Sequence, residues 1–527
     1  MNSIAQPARD DPAGAWAAFA TDSATALERF ERSLEQPARA QTAVFDEVIA
    51  YAKDTAFGRA FGFAEITDIE QFRERVPITG WSEHAAWIER AKREYEPVLT
   101  AEAPIHYERT SGSSALAKDI PYTPKLLAQL QRALTVWLAK LYQDCPGVAG
   151  PAWWSLSPSQ PGSKRTENGI PIGSAGDEVY LQGSAAERVL ATIIDMRTAL
   201  AADDWKTRML AMAVDCEDLA LISVWSPTYL VAVLDTVADE DRQKHGLTAL
   251  QPLLRPQRYR ALVDAVDAQD FSQLWPKLKV ISAWSDGPSR LYAARIAEQF
   301  PQASLVPKGL FATEGVVSLP WGLSQARPLA IESHFLEFID SHGSQKLVEE
   351  LVAGQFYEPV LTTAGGLYRY ALGDLIEVTG CIESTPTVRF VGRADLRCDL
   401  VGEKLDANLV AGALEAAGLS EPALLIPVVD AKRPYYVLVT ETQRDTAEAA
   451  QALDAALKDC FHYRLARDNE QLGAPECVQS TNLSALLHAG WEALDKRFGD
   501  IKPAPLVVSP ELARELLARS CAAGVAS

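Results

Sequence analysis

Residues Tyr357–Gly380, YEPVLTTAGGLYRYALGDLIEVTG, and then Arg389–Leu405, RFVGRADLRCDLVGEKL, decide how the chain is read. Leu361, Thr362 and Thr363 have β-prone character, Gly365-Gly366 mark a hairpin-like turn, and Leu367–Tyr370 resume an extended pattern. Gly373-Asp374 follows, and then the apolar alternation of Leu375, Ile376 and Val378. A carboxylate at the head of a strand, here Asp374, is well placed to accept hydrogen bonds from a pair of ligand hydroxyls such as those of a ribose. An isolated Gly-Asp is ordinarily only a β-turn.

Upstream of this stretch, strand-like and helix-like segments alternate. Leu219–Trp225 and Val280–Trp284 read as buried strands, and His334–Ile339 as a third. Helical periodicity marks about 15–56 with a break at Pro37, then 69–75, 81–92, 125–141, 189–200, 205–215 and 227–237. Such alternation predicts an α/β core, and ligands of open α/β sheets collect at the carboxyl ends of strands. That rule puts Ser285, Asp286 and Gly287, directly after the strand ending at Trp284, beside a nucleotide.

Between the helices at 81–92 and 125–141 lies Thr110-Ser111-Gly112-Ser113-Ser114-Ala115-Leu116-Ala117-Lys118. Small and hydroxyl residues let a backbone approach phosphates closely, and the lysine adds a point charge. Most Ser/Gly-rich turns are plain loops, so the motif needs company. Residues 151–176 are rich in Trp, Ser, Pro and Gly and read as an irregular loop. Trp153 and Trp154 in it have two readings, core packing or the lining of an acyl pocket. Trp284 is a further acyl-pocket candidate.

Composition narrows the class. The 527 residues are 48% hydrophobic and 23% charged, which fits a globular enzyme of two or three domains. No apolar run approaches the ~18 residues needed to span a bilayer, and the N-terminal MNSIAQPARDDPAGAW has no secretory pattern, so a cytoplasmic protein without a membrane partner is expected. The seven cysteines are scattered and odd in number, the pattern of reduced thiols, and neither they nor the seven histidines have metal-ligand spacing. No structural metal is expected. A formal charge of −20 opposes nucleic-acid binding. The composition shifts after Asp395 to helices at 405–417, 446–465 and 483–498 with strands at 423–428 and 435–440, a second, α+β domain.

Tyr368-Arg369-Tyr370-Ala371-Leu372-Gly373-Asp374 resembles the Tyr-Arg-x-x-Gly-Asp motif of adenylate-forming enzymes, with one extra residue before the glycine. The whole stretch resembles the auxin-responsive acyl acid–amido synthetases, the Gretchen Hagen family. The loop 110–118 resembles that superfamily's adenylating signature, with Ala115 where the pattern has a second glycine. Gly309–Gly315, GLFATEG, resembles its aromatic-x-Ser/Thr-x-Glu motif, with the glutamate directly after the threonine. Motif order and spacing match over about residues 75 to 405.

The resemblance implies an α/β fold. A large adenylating domain (1–394), with mixed β-sheets and packed helices, precedes a smaller mobile α+β domain (395–527). It implies a MgATP-dependent ligase that makes an acyl-adenylate from a small carboxylic acid and passes the acyl group to an amine, an amino acid being the expected one. Thr110, Ser111, Gly112, Ser113, Ser114 and Lys118 would hold phosphates; Phe311, Ala312 and Thr313 would lie along adenine and the α-phosphate; Glu314 would hold Mg²⁺ and Asp374 the ribose. Phe390 belongs with the nucleotide, and Arg393, Ala394 and Asp395 with the hinge. Ile172, Gly173 and Ser174 would border the acid. Lys502, before Pro503, would be the late catalytic lysine. Arg369 has two readings, a buttressing ion pair or a phosphate contact. Two alternatives stay open: a thioester-forming coenzyme A ligase and a non-catalytic nucleotide- or acid-binding protein. A monomer is expected.

Overall fold

The computed structural model describes residues 11–109, 118–155, 164–173, 176–237, 240–393, 397–398, 400–401, 403, 405–429, 431, 433–469, 471–494 and 504–524. Strands are numbered along the chain: β1 (His106–Arg109), β2 (Asp119–Tyr122), β3 (Ala152–Trp154), β4 (Ile172–Gly173), β5 (Leu221–Ser223), β6 (Val280–Ala283) and β7 (Ser304–Pro307). There follow β8 (Phe311–Ala312), β9 (Gly315–Val316), β10 (Phe335–Asp340), β11 (Gln345–Lys346), β12 (Phe356–Thr362), β13 (Tyr370–Ala371), β14 (Asp374–Ile382) and β15 (Thr385–Arg393).

Three sheets and a short hairpin surround the site. β3, β5, β6 and β7 form a parallel sheet in the order β3-β5-β6-β7, with helical connections, as parallel pairing demands. β10, β11, β12, β14 and β15 form an antiparallel sheet, with β13 folded back on β12. β1 pairs antiparallel with β2 and parallel with β4, and β8 pairs with β9.

The helix Pro124–Asp144 lies under these sheets. Thr123 caps it, its Oγ1 accepting from Leu126 N at 3.0 Å, and Pro124 fits the first turn. Its buried Leu126, Leu130, Trp137 and Leu141 join one core with Trp154, Leu221, Val280 and Val306 from the parallel sheet. The alternate strand residues Trp153, Ile222 and Ile281 face a second core built by helices such as Trp205–Asp215 and Pro227–Leu234. One parallel sheet buried on both faces is the α/β layering expected from the alternation.

Beyond β15 lie β16 (Arg397–Cys398), β17 (Leu405–Asp406), β18 (Ala423–Val428), β19 (Tyr435–Thr440) and β20 (Glu476–Gln479). The last three make their own sheet, packed on both faces by helices with separate cores. Ala394 and Asp395, the predicted hinge, lie outside the described residues.

Three segments differ from expectation. Residues 189–200 are not one helix: two short turns, Glu187–Leu190 and Arg197–Leu200, flank an extended piece in which Ile194 N donates to Ala152 O and Ala152 N to Thr192 O. Residues 151–176 are not irregular throughout, since β3 and β4 lie within them. Residues 446–465 divide into Thr446–Leu457 and Phe461–Asp468. In the first two cases pairing with a neighbouring strand overrode local propensity.

Candidate active site

Lys118, Glu314 and Tyr370 meet at one point although 196 and 252 residues separate the lysine from its partners. Lys118 precedes β2, and its Nζ donates to Glu314 Oε1 at 3.1 Å and to Tyr370 Oη at 2.7 Å. The ammonium also lies 5.9 Å from the Trp81 ring and 5.5 Å from the Tyr370 ring. Burial works against its charge, but Glu314 and Tyr370 outweigh that, and the lysine pKa is raised. Lys118 is therefore a held cation at pH 7.

Glu314 stands at the tip of the β8–β9 hairpin. The hairpin backbone is pinned by Tyr122, whose hydroxyl donates to Thr313 O at 2.9 Å and lies 3.0 Å from that of Tyr180. Gly315 permits close approach: a Cβ there would meet the His334 ring at 3.0 Å.

Asp374 opens β14, buried and in register with Arg393 at the end of β15. The backbone reaches it through Gly373 at φ +78° and Arg369 at φ +50°. A non-glycine residue in the left-handed region needs a compensating hold. Arg369 has one: its Nε and Nη2 donate to the two Glu337 oxygens at 2.9 and 3.0 Å, its Nη1 to Val76 O at 2.7 Å and Arg73 O at 3.0 Å, and its Nη2 also to Gln345 Oε1 at 2.5 Å. Of its two readings, the buttressing ion pair is the one observed.

The parallel sheet presents its carboxyl edge to the same hairpin. Trp154, Ser223, Ser282 and Val306 are register partners across β3, β5, β6 and β7, so their side chains share a face. Trp154 stacks at 6.0 Å on Trp137, and Phe311 lies 6.2 Å from Trp137 and 6.0 Å from Trp225. Trp284 lies 6.0 Å from Trp225. In this cage sits Lys308, whose Nζ donates to Ser223 Oγ at 2.8 Å and lies 4.4 Å from the Trp137 ring and 5.0 Å from the Trp225 ring. Burial lowers its pKa to about 7, against a small opposing pull from Asp177.

The expected residues divide accordingly. Lys118 and Glu314 form one cluster, while Trp154, Trp284 and Phe311 line the cage. Ile172 and Gly173, on β4, pair with Tyr107 and Glu108 of β1. Asp286 accepts from Phe390 N at 3.1 Å and pairs with Arg327 at 3.2 Å, so its carboxylate anchors the Ser285–Gly287 loop on β15. Gly287 is left-handed at φ +52° where a Cβ would meet Val391 O at 3.0 Å. Trp153 is a different case. Strand alternation turns it to the opposite face, into the second core, away from Trp154 and the cage. Thr110, Ser111, Gly112, Ser113, Ser114, Ser174, Ala394, Asp395 and Lys502 lie outside the described residues, and of Arg393 only the backbone is described.

Sequence reading missed Tyr370, Trp137, Trp225, Ser223 and Lys308 as site residues. The carboxyl-end rule applied to Leu305–Pro307 as well as to Trp284 would have picked out Lys308.

Comparison with known proteins agrees with this architecture. Residues 26–305 match the GH3 family N-terminal domain and 328–393 the GH3 family central domain. The jasmonoyl–L-amino acid synthetase JAR6 of Nicotiana attenuata is 22% identical over 498 residues, covering 83% of this chain and 84% of its own. The solved structure of AtGH3.15 acyl acid amido synthetase in complex with 2,4-DB superposes with a TM-score of 0.79 at 16% identity, over 95% of this chain and 96% of that one. A 2-hydroxyisobutyryl-CoA ligase in the postadenylation state, with 2-HIB-AMP, superposes at 0.52 with 13% identity, over 92% of this chain and 91% of that one. The fold is that of the two-domain adenylate-forming enzymes. With its N-terminal match spanning more than half of its length, the chain belongs to the GH3 family.

Proposed function

We propose that the protein is an ATP-dependent acyl acid–amido synthetase, which joins a carboxylic acid to an amine, an amino acid, by way of an acyl-adenylate. The observation that carries this is the convergence of Lys118, Glu314 and Tyr370 from three distant segments, next to the strand that Asp374 opens, in a GH3-family fold. The relative from Nicotiana attenuata is named for joining an acid to an amino acid, and the 0.79 superposition is with an acyl acid amido synthetase.

A carboxylate is a poor electrophile because oxide is a poor leaving group. Transfer to AMP removes that obstacle. The protein's part in the first half-reaction is positioning and charge stabilisation. Lys118, a fixed ammonium, meets negative charge on the phosphates as the carboxylate attacks the α-phosphorus and pyrophosphate departs. Asp374 accepts from the ribose hydroxyls, and residues 110–117 supply backbone donors to the phosphates. In the second half-reaction an amine attacks the acyl carbon, AMP leaves, and an amide remains.

The donor set fits magnesium delivered with the nucleotide. Among the described residues no cluster of three or more His, Cys, Asp or Glu could hold a metal alone, whereas Glu314 offers the single hard oxygen donor that a phosphate-bound Mg²⁺ takes. Residues 395–527 form a second, mobile domain that carries Lys502 into the site, rotating between the two half-reactions about 393–395. The protein is a cytoplasmic monomer in this proposal.

Pyrophosphate release from MgATP, measured over a panel of acids with an amino acid, with coenzyme A or with neither, tests it. Stimulation by an amino acid and an amide identified by mass is expected. Stimulation by coenzyme A alone, with a thioester product, would replace it by the ligase reading.

A further inference from the structure

Lys308 is a buried basic residue that the two half-reactions leave unused. It is 5% exposed and has no carboxylate within ion-pair distance among the described residues; its one hydrogen-bond partner there is the neutral hydroxyl of Ser223. Burying an ammonium with so little compensation is costly, and such groups survive where a function retains them. Its position is at the carboxyl edge of the parallel sheet, one residue past β7, with Lys308 N extending the ladder to Ala283 O at 3.0 Å. In α/β sheets that edge is where ligands bind.

The surroundings add an independent observation. Trp137 Nε1, Trp154 Nε1 and Ser282 Oγ are all buried without a hydrogen-bond partner. Trp137 and Trp154 are the stacked pair beside Lys308, and Ser282 is the register neighbour of Ser223. Beside Lys308, therefore, two indole N–H groups and the Ser282 hydroxyl have unmet hydrogen-bonding capacity, while the Ser223 hydroxyl accepts from Lys308 itself. The rim is Phe311, Trp225 and Trp284, half-buried and aromatic. Along the chain, Phe311 stands three residues before Glu314, between the cage and the Lys118 cluster.

Resting on the amido-synthetase reading, we infer that Lys308 is a specificity-determining residue: the cage takes an acid that carries a second oxygen acceptor, at the end remote from the carboxylate being activated, and Lys308 donates to that oxygen. The rings of Trp137, Trp225 and Phe311 cover the apolar body of such an acid. An analogue lacking the oxygen leaves buried donors unmatched, and sites built on a buried hydrogen bond discriminate strongly for that reason. Asp177, whose carboxylate lies 3.4 Å from Trp225 Nε1, holds the wall of the cage.

The test is binding, read by quenching of tryptophan fluorescence in the full chain, and so independent of turnover. Two matched pairs serve: hexanoate with adipate, and 3-phenylpropanoate with 3-(4-hydroxyphenyl)propanoate. In the wild type the oxygen-bearing member of at least one pair is expected to bind tenfold or more tighter. Lys308→Met should bring that ratio to within about twofold. Ser223→Ala, which removes the hydroxyl that orients the ammonium, should lower it at least threefold and decides the matter if the methionine variant does not fold. Equal binding within both pairs, no binding of either oxygen-bearing acid, or a ratio that both variants leave unchanged would overturn the assignment. Pyrophosphate release, measured separately, reports on the amido-synthetase reading alone.

Discussion

Replacing Glu337 by glutamine is the sharpest structural perturbation of the site that leaves the reacting groups intact. Glu337 accepts from Arg73 Nε at 2.8 Å and from Arg369 Nε and Nη2 at 2.9 and 3.0 Å, and both it and Arg369 are 1% exposed at the side chain. The amide preserves shape but removes the charge that compensates two guanidinium groups, and it sets an N–H₂ against one of their donors. Breaking a buried pair by removing one partner costs about 3–5 kcal/mol. Arg73 is 13% exposed and retains Glu70 at 3.3 Å, so part of its charge relaxes into water and the lower end, about 3 kcal/mol, is expected. Urea unfolding followed by tryptophan fluorescence reads this cleanly, because of the twelve tryptophans only Trp491 lies beyond residue 400. The midpoint should fall by on the order of 1 M. The double variant Glu337→Gln/Arg369→Met should lose less than the sum of the single losses, as coupled partners do. An unchanged midpoint for Glu337→Gln would show that the ion pair does not hold the Arg369 turn.

Asp374→Ala should raise the ATP KM about tenfold or more while the fold persists, measured as pyrophosphate release against ATP concentration; near wild-type kinetics would remove the ribose role. Lys118→Met should cut pyrophosphate release by about 10²–10³-fold, as loss of one positioned charge donor does, with the unfolding midpoint as control. Gly366→Ala should destabilise by about 2 kcal/mol or more, because its φ is +88° and a Cβ would meet that of Leu99 at 2.7 Å. Burial, with a smaller push from Arg132, lowers the His334 pKa to about 3. Its neutral form is therefore favoured by folding, and the stability it contributes is whole above the unfolded value of about 6.5 and is lost as pH falls from there toward 3. His334→Gln should flatten the stability–pH curve in that window; an equally steep curve would show that His334 is not the group responsible.

The deciding stretch was legible because its signals are local. Gly365-Gly366 needs a turn, Gly373 takes a left-handed φ, and Asp374 opens a strand, as alternation from Leu375 onward implied, but Leu367–Tyr370 are not the extended run expected: Arg369 is left-handed and pairing with β12 resumes only at Tyr370 and Ala371. Residues 205–215 were legible as a helix from their apolar residues and their breaks. What sequence reading missed depends on tertiary pairing. Residues 189–200 look helical, yet Thr192 and Ile194 bond to Ala152 because the edge of β3 is there to be paired. Trp153 and Trp154 are adjacent and chemically identical, and only the pleat of β3 sends one to the cage and the other to the second core. Arg369 sits in a motif that resembles a nucleotide-binding one, but which of its two roles it takes is set by Glu337, 32 residues away on another strand. Lys308 carries no motif at all; its meaning comes from the rings of Trp137 and Trp225, which no spacing rule links to it.

Acid-dependent exchange of labelled pyrophosphate into ATP, in the absence of any amine, tests the central claim most directly, because exchange requires reversible formation of an acyl-adenylate and nothing after it. Exchange that depends on an acid and collapses in Lys118→Met and Glu314→Gln is the expected result. Exchange at wild-type rate in both variants would contradict the assignment of the Lys118–Glu314 cluster. No exchange with any acid, by a protein that binds ATP, would contradict the adenylating reading itself and return the chain to a nucleotide-binding role.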